Sequence, residues 1–366
     1  MNDWRPSAGI EALRLRARLY AAIRAFFAER GVLEVETPVL SVAGNTDVNI
    51  ASFSLAFSGR TDGAPRTRWL RTSPEFPLKR LLAAGVGDCY ELGRVFRDGE
   101  AGGRHNPEFT MLEWYRVGWD HLRLIDETVA LVQAALALVA RDATVSQTTF
   151  RDLHRDRLGL DPFLATEAEL QAALGEVRID PEGLTRDDWL DLLMTHRLQP
   201  AFAKDDLLVV RDWPASQCAL AKIRPAQDDA PAVAERFELY LGPLELANGY
   251  HELTDAARGR RNRRGADDVV DHVRGEQRKG LGKAAGAEIG IGQAAIDLGV
   301  IGIELDGPVA VADRLLSGRT ASAACLSDLN PLAALSRRMS ISRSENHHDQ
   351  SVLAPCGAGP RGRCKR

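Results

Sequence analysis

Apolar and polar positions alternate most regularly between residues 108 and 117. Phe109, Met111, Glu113 and Tyr115 fall on one side of that run, and Thr110, Leu112 and Trp114 on the other, which is the period of a strand. Just upstream, Leu92, Val95 and Phe96 lead to Arg97 and predict a partner strand. The charged, glycine-rich residues 98–105 predict the loop between the two. Glu113 stands between Met111 and Tyr115, and a carboxylate on a purely core face is costly without a partner. This face therefore reads as a binding surface for a nucleotide and an amine.

The rest of the chain is read around this hairpin. Residues 10–30 predict an amphipathic helix with Ile10, Leu13, Ala17, Tyr20 and Phe27 on its apolar side and Gly31 as its stop. Residues 32–40 predict a strand that ends near Pro38, an ordinary edge or an interface. Short strands and loop follow to residue 65. Ser73 and Pro74 then open a helix over 76–84, with Glu75 in its first turn as a dipole partner or as the holder of a substrate ammonium. A long helix is expected over 122–140, mostly helical sequence over 150–202, and a buried strand at 207–210. A strand pair is expected over 237–251, turning at Gly242 and Pro243. Glu245 and Glu252 lie in and just after that pair. They read as solvated glutamates or as carboxylates for a magnesium-bound phosphate. His121, His154 and His196 are isolated and read as structural.

Composition bounds this picture. At 366 residues and 45% apolar content, the chain is of globular type. It has no 18-residue apolar run to span a membrane. The start has no signal-like layout, and the five scattered cysteines lack zinc spacing, so a cytoplasmic protein with reduced thiols is expected. A net charge of −4 argues against general affinity for nucleic acid. The averages conceal a break, however. All 22 aromatic residues precede residue 258. Residues 1–257 hold 29 Lys and Arg against 39 Asp and Glu, whereas residues 258–366 hold 18 against 12.

The motifs, taken together and in order, resemble a family. The stretch FRDGEAGGRHNPEFTMLEWY is similar to motif 2 of the lysine-type class II aminoacyl-tRNA synthetases, and GVLEVETPVL to motif 1. TSPEFPLKRLLAAG, DWPASQCALA and LELANGYHELTDA resemble most closely the short lysyl-synthetase paralogues that modify elongation factor P. The resemblance spans about residues 5–257 and implies an α+β class II synthetase catalytic domain, a six-stranded antiparallel sheet flanked by helices. It implies a homodimer without an anticodon-binding domain, which takes ATP, Mg²⁺ and β-lysine and acts on elongation factor P. By position, the resemblance assigns Arg97 to the ATP α-phosphate as the catalytic clamp. ATP contacts fall to Asp98, Gly99, His105, Asn106, Phe109, Glu245 and Leu246. Asp98 and Gly99 replace the usual Asn and Glu, and adjacent Glu100 is a substitute. Ser73, Pro74, Glu75, Tyr115 and Glu252 are assigned to the amino acid, Glu245 and Glu252 to the metal, and Glu113 to the same pocket. A lysyl-tRNA synthetase fragment and a catalytically impaired or non-catalytic paralogue are the alternatives.

Residues 258–366 depart from the family pattern. They are expected to be a divergent, partly disordered segment, such as a shifted reading frame produces, with the Ser-, Ala-, Gly-, Pro- and Arg-rich residues 317–366 poorly ordered. Residues 289–316 have apolar content but no usable period. The Asp313–Arg314 pair is the candidate for motif 3, which in the family supplies a central strand and an ATP-packing arginine.

Overall fold

The computed structural model describes residues 8–254 except 46, 48, 49 and 102–104, together with the backbone of residues 298–305. The predicted hairpin forms as β5 (Cys89–Phe96) and β6 (Glu108–Val117), paired antiparallel from Cys89↔Tyr115 to Phe96↔Glu108. The predicted pair at 237–251 forms as β10 (Val233–Leu241) and β11 (Leu244–His251). Gly242 turns between them at φ 56°, where a side chain would be strained. The buried strand at 207–210 is the centre of β8 (Asp206–Pro214).

A central strand joins these two hairpins, and it comes from far along the chain. β12 (Leu298–Leu305) pairs antiparallel with β6 on one side and with β11 on the other. Six antiparallel strands result, in the order β5-β6-β12-β11-β10-β8, the architecture the motifs implied. Each edge gains a parallel strand: β1 (Leu33–Glu34) beside β5, and β7 (Thr144–Thr149) beside β8. A short β9 (Ile223–Arg224) pairs with β10. A separate small sheet has the order β2-β4-β3, from β2 (Leu40–Ser41), β3 (Ser54–Ala56) and β4 (Thr67–Leu70).

One face of the main sheet is plain core. Leu112, Trp114, Phe237, Leu239 and Ala247 pack there with Leu19, Ile23 and Phe27 of α1 (Ile10–Glu29) and Leu124, Leu131 and Leu136 of α3 (His121–Ala137). Phe27 stacks on Tyr90 with ring centres 4.5 Å apart and meets the Trp114 ring edge-on at 5.3 Å. The apolar side of α1 differs from the expected one. Ala12, Leu15, Leu19, Ile23 and Phe26 are buried, whereas Ile10 and Leu13 are 67% and 43% exposed. Apolar residues occur on both sides of this helix at helical spacing, and packing against α3 selects the stripe that carries both phenylalanines. The single strand expected over 32–40 splits into β1 and β2, because Thr37 turns inward to a buried ion pair described below.

The helical region over 150–202 contains α4 (Phe150–Leu158), α5 (Glu167–Ala173) and α6 (Arg186–Leu193). Trp189, Leu190, Leu192 and Leu193 are all buried. His154 is also buried, its Nδ1 2.8 Å from the Phe150 carbonyl, and burial lowers its pKa to about 4, which suits a structural histidine. No helix among the described residues is long and apolar enough to cross a membrane.

Candidate active site

The opposite face of the sheet carries the polar side chains. β6 places Phe109, Met111, Glu113 and Tyr115 there, all buried, with Phe109 against Val95 and Tyr115 against Leu78 and Leu82. From Phe109 to Glu113 is about 13 Å at the rise of an extended strand. Two groups of expected site residues therefore occupy the two ends of one surface.

The first group lies at the Tyr115 end. α2 (Glu75–Ala83) begins after Ser73 and Pro74, and the Ser73 hydroxyl accepts the Glu75 backbone N–H at 3.1 Å. This start aims Glu75 at the sheet. The Lys79 ammonium lies 2.7 Å from Glu75 Oε1 and 2.6 Å from Glu252 Oε1, and so ties the helix to the end of β11. The Tyr115 hydroxyl donates to Glu113 Oε1 at 2.8 Å. Glu113 and Glu252 are 3% and 4% exposed.

Electrostatics follow from that crowding. Burial, then the nearby Glu75, pushes the Glu113 carboxyl up to about 8, with Tyr115 and Lys79 opposing. Burial also pushes the Glu252 carboxyl up, and Lys79 opposes it. Burial alone lowers a lysine, yet Glu75 and Glu252 reverse this for Lys79 and hold it charged well above the ordinary range. Lys79 and Asn248 belong to this surface but were not singled out from sequence. Asn248 is the register partner of Gly302, which also faces Glu113, and its Oδ1 accepts from Arg236 Nε at 3.0 Å. Lys79 looks like any lysine on a helix; its spacing of four from Glu75 was the available signal.

The second group lies at the Phe109 end. The Arg97 guanidinium sits 5.0 Å from the centre of the Phe109 ring and 3.7 Å from Glu100. Asp98 is held by its N–H to the Ala51 carbonyl at 2.9 Å, and Gly99 has φ 82°. His105 and Asn106 are exposed at the mouth of the hairpin. Glu245 is exposed and pairs in register with Tyr240, whose pKa rises with burial and the neighbouring Glu238 and Glu245. Leu246 stands at the register shift in β11 and packs toward the apolar core, leaving its backbone for any ligand contact. Asp313 and Arg314 lie outside the described residues.

No group of three His, Cys, Asp or Glu among the described residues is placed to hold a metal ion. Mg²⁺ bound through phosphates needs only one or two carboxylates. Exposed Glu245 fits that requirement, while one Glu252 oxygen already faces the Lys79 ammonium.

An antiparallel sheet with an arginine at one end and a carboxylate-lined pocket at the other defines a synthetase-type surface. The family model "tRNA synthetases class II (D, K and N)" matches residues 2–267, and the chain belongs to that family. Among curated relatives, the chain is similar to the "Elongation factor P--(R)-beta-lysine ligase" of Pasteurella multocida, 46% identical over 69% of this chain and 77% of that protein. The ligases of the same name from Haemophilus influenzae (strain PittGG) and Vibrio cholerae are 45% and 46% identical. Each match covers 70% of this chain, and 77% and 78% of the relatives.

Proposed function

We propose that this protein is an ATP-dependent ligase that activates (R)-β-lysine as an adenylate and transfers it to a lysine of elongation factor P. The observation that carries this reading is the pairing of a three-carboxylate pocket (Glu75, Glu113, Glu252) with Arg97 on one sheet face. An amino acid with extra ammonium groups suits the first, and a phosphate the second. The relatives' names indicate the substrate and the acceptor.

In this reading Ser73, Pro74, Glu75, Tyr115 and Glu252 hold the amino acid by its ammonium groups. Its carboxylate then points along β6 toward Arg97. The carboxylate oxygen attacks the ATP α-phosphorus as the bond to pyrophosphate breaks. Arg97 stabilises the charge that builds on the α-phosphate oxygens. No general base is needed for this step, because the attacking carboxylate is already ionised. Asp98, Gly99, His105 and Asn106 hold the nucleotide, with Glu100 beside Arg97 in place of the family's usual glutamate. Phe109 offers its ring to adenine once Arg97 turns toward phosphate. Glu245 and the Leu246 backbone close the ATP side. Mg²⁺ held by Glu245, with Glu252 on its pocket side, would neutralise phosphate charge. In the second step the acceptor ε-amine attacks the adenylate carbonyl, forms an amide and releases AMP.

The reading also places the protein in the cytoplasm as a homodimer, with the exposed Leu33 of the β1 edge among the apolar side chains to cover. The test is pyrophosphate exchange with β-lysine, with α-lysine and with no amino acid. Exchange with β-lysine, lost in Arg97→Ala, is expected. Exchange only with α-lysine, together with tRNA charging, would replace this reading by that of a lysyl-tRNA synthetase. No exchange with any amino acid would leave a non-catalytic member of the fold.

A further inference from the structure

β10 and β11 part company just before Glu252. Their pairing at that end stops at Arg236↔Tyr250. Beyond it, residues 220–224 enter between the two strands. β9 pairs with Val233 and Ala234 of β10, and Ala221 stands opposite Glu252. Lys222 joins both sides: its N–H donates to the His251 carbonyl at 2.7 Å, and its carbonyl accepts the Glu235 N–H at 2.9 Å. The Leu253 N–H donates to the Leu220 carbonyl at 2.9 Å, so backbone bonds flank Glu252. Across the same split, His251 Nδ1 lies 2.7 Å from Glu235 Oε2. An ionised carboxylate only accepts, so Nδ1 carries the proton of that bond. The two side chains are 8% and 16% exposed. By strand alternation they lie on the core side of the sheet with Phe237 and Ala247, whereas Glu252 turns to the site side and Lys79.

We propose that His251 and Glu235 are positioning residues for the amino-acid substrate: their pair fixes where β11 leaves β10, and hence where Glu252 meets that substrate. The inference rests on the proposed activity for the role of Glu252. A buried polar or ionic pair adds little net stability over apolar residues of similar size, and its best-attested use is to select one register. An apolar contact at the split would hold the sheet together but tolerate sliding. A short, directional bond admits one separation of the two strands. Glu235 is itself oriented from the inserted strand, since Arg224 Nη1 stands 3.8 Å from its other oxygen. It also precedes Arg236, whose Nε donates to Asn248 Oδ1 at 3.0 Å on the site side. The pair therefore sits between two strands that both carry side chains of the site.

The experiment compares wild type with His251→Leu/Glu235→Met and His251→Gln. The double variant removes both partners together, and the glutamine keeps a donor for Glu235. In pyrophosphate exchange, the double variant is expected to raise KM for β-lysine about tenfold while KM for ATP changes less than about twofold, and His251→Gln to recover most of that loss. Without substrate, hydrogen exchange of the Lys222 and Leu253 amides is expected to quicken about tenfold in the double variant, while the amides of β5 and β6 keep their protection. A double variant that fails to fold, equal KM changes for ATP and β-lysine, or unchanged protection at Lys222 and Leu253 overturns the proposal. The amide measurement does not depend on turnover. A wild type without pyrophosphate exchange therefore counts against the proposed function alone, while amide protection at the split still decides whether the His251–Glu235 pair sets the strands.

Discussion

Glu113 shows what the environment of a single residue can do. Its carboxyl is raised to about 8 by burial and by Glu75, against about 4.5 in an unfolded chain. The native state therefore binds a proton that the unfolded state releases, and stability falls as pH rises from roughly 5 to 8. Replacing Glu113 by Gln should flatten that slope, by at most about 1.4 kcal/mol per pH unit. Denaturant titrations across this range check it; an unchanged slope in the variant would mean that Glu113 is ionised in the free protein. Glu113 was legible in sequence as a carboxylate out of place on an apolar face. Glu75 and Glu252 each had an ordinary alternative until the order of motifs put them in one pocket. Lys79 had only its spacing of four from Glu75 as a signal, since its second partner, Glu252, reaches it through the fold.

Elements are joined by contacts that no single stretch of sequence reveals. Thr37, Arg71 and Glu91 form a buried group. Arg71 Nη2 is 2.6 Å from Glu91 Oε1, the Thr37 hydroxyl donates to Glu91 Oε2 at 2.6 Å, and Arg71 Nη1 donates to the Thr37 hydroxyl at 2.7 Å. This group pulls residues 35–39 out of strand geometry, which is why the run at 32–40 reads as one strand and folds as two. It also explains Gly93 on β5. A Cβ there would lie 2.6 Å from Arg71 Nη2 and 2.9 Å from Glu91 Oε1. Gly93→Ala is expected to separate the pair and to cost several kcal/mol, on the order of the 3–5 kcal/mol seen when a buried ion pair is broken. Chemical denaturation measures this, and a loss under about 1 kcal/mol would show that the arginine moves aside freely. The phase of α1 was illegible for a different reason. Both of its sides carry apolar residues, and only α3 distinguishes them.

At the scale of the whole molecule, the motifs of residues 1–257 implied a six-stranded antiparallel sheet but not the order of its strands. β12 lies between β6 and β11, in a region whose apolar residues have no strand period. A chain ending at residue 297 lacks β12 and would leave β6 and β11 as facing, unpaired edges. It is expected to be insoluble or to lack a cooperative thermal transition, measured by calorimetry on the soluble fraction. A cooperative transition like that of the full chain would show that the sheet closes without β12.

That same central strand has a consequence for how the protein is made. β11 ends at His251 and β12 begins at Leu298. At ordinary elongation rates of about 5–20 residues per second, the intervening stretch takes the ribosome on the order of several seconds to add. Throughout that interval the two finished hairpins have no strand to bridge them, and their open edges are available to any other nascent chain. Cellular yield of this protein should therefore depend on translation speed and chaperone supply between those two strands more than on the stability of either hairpin.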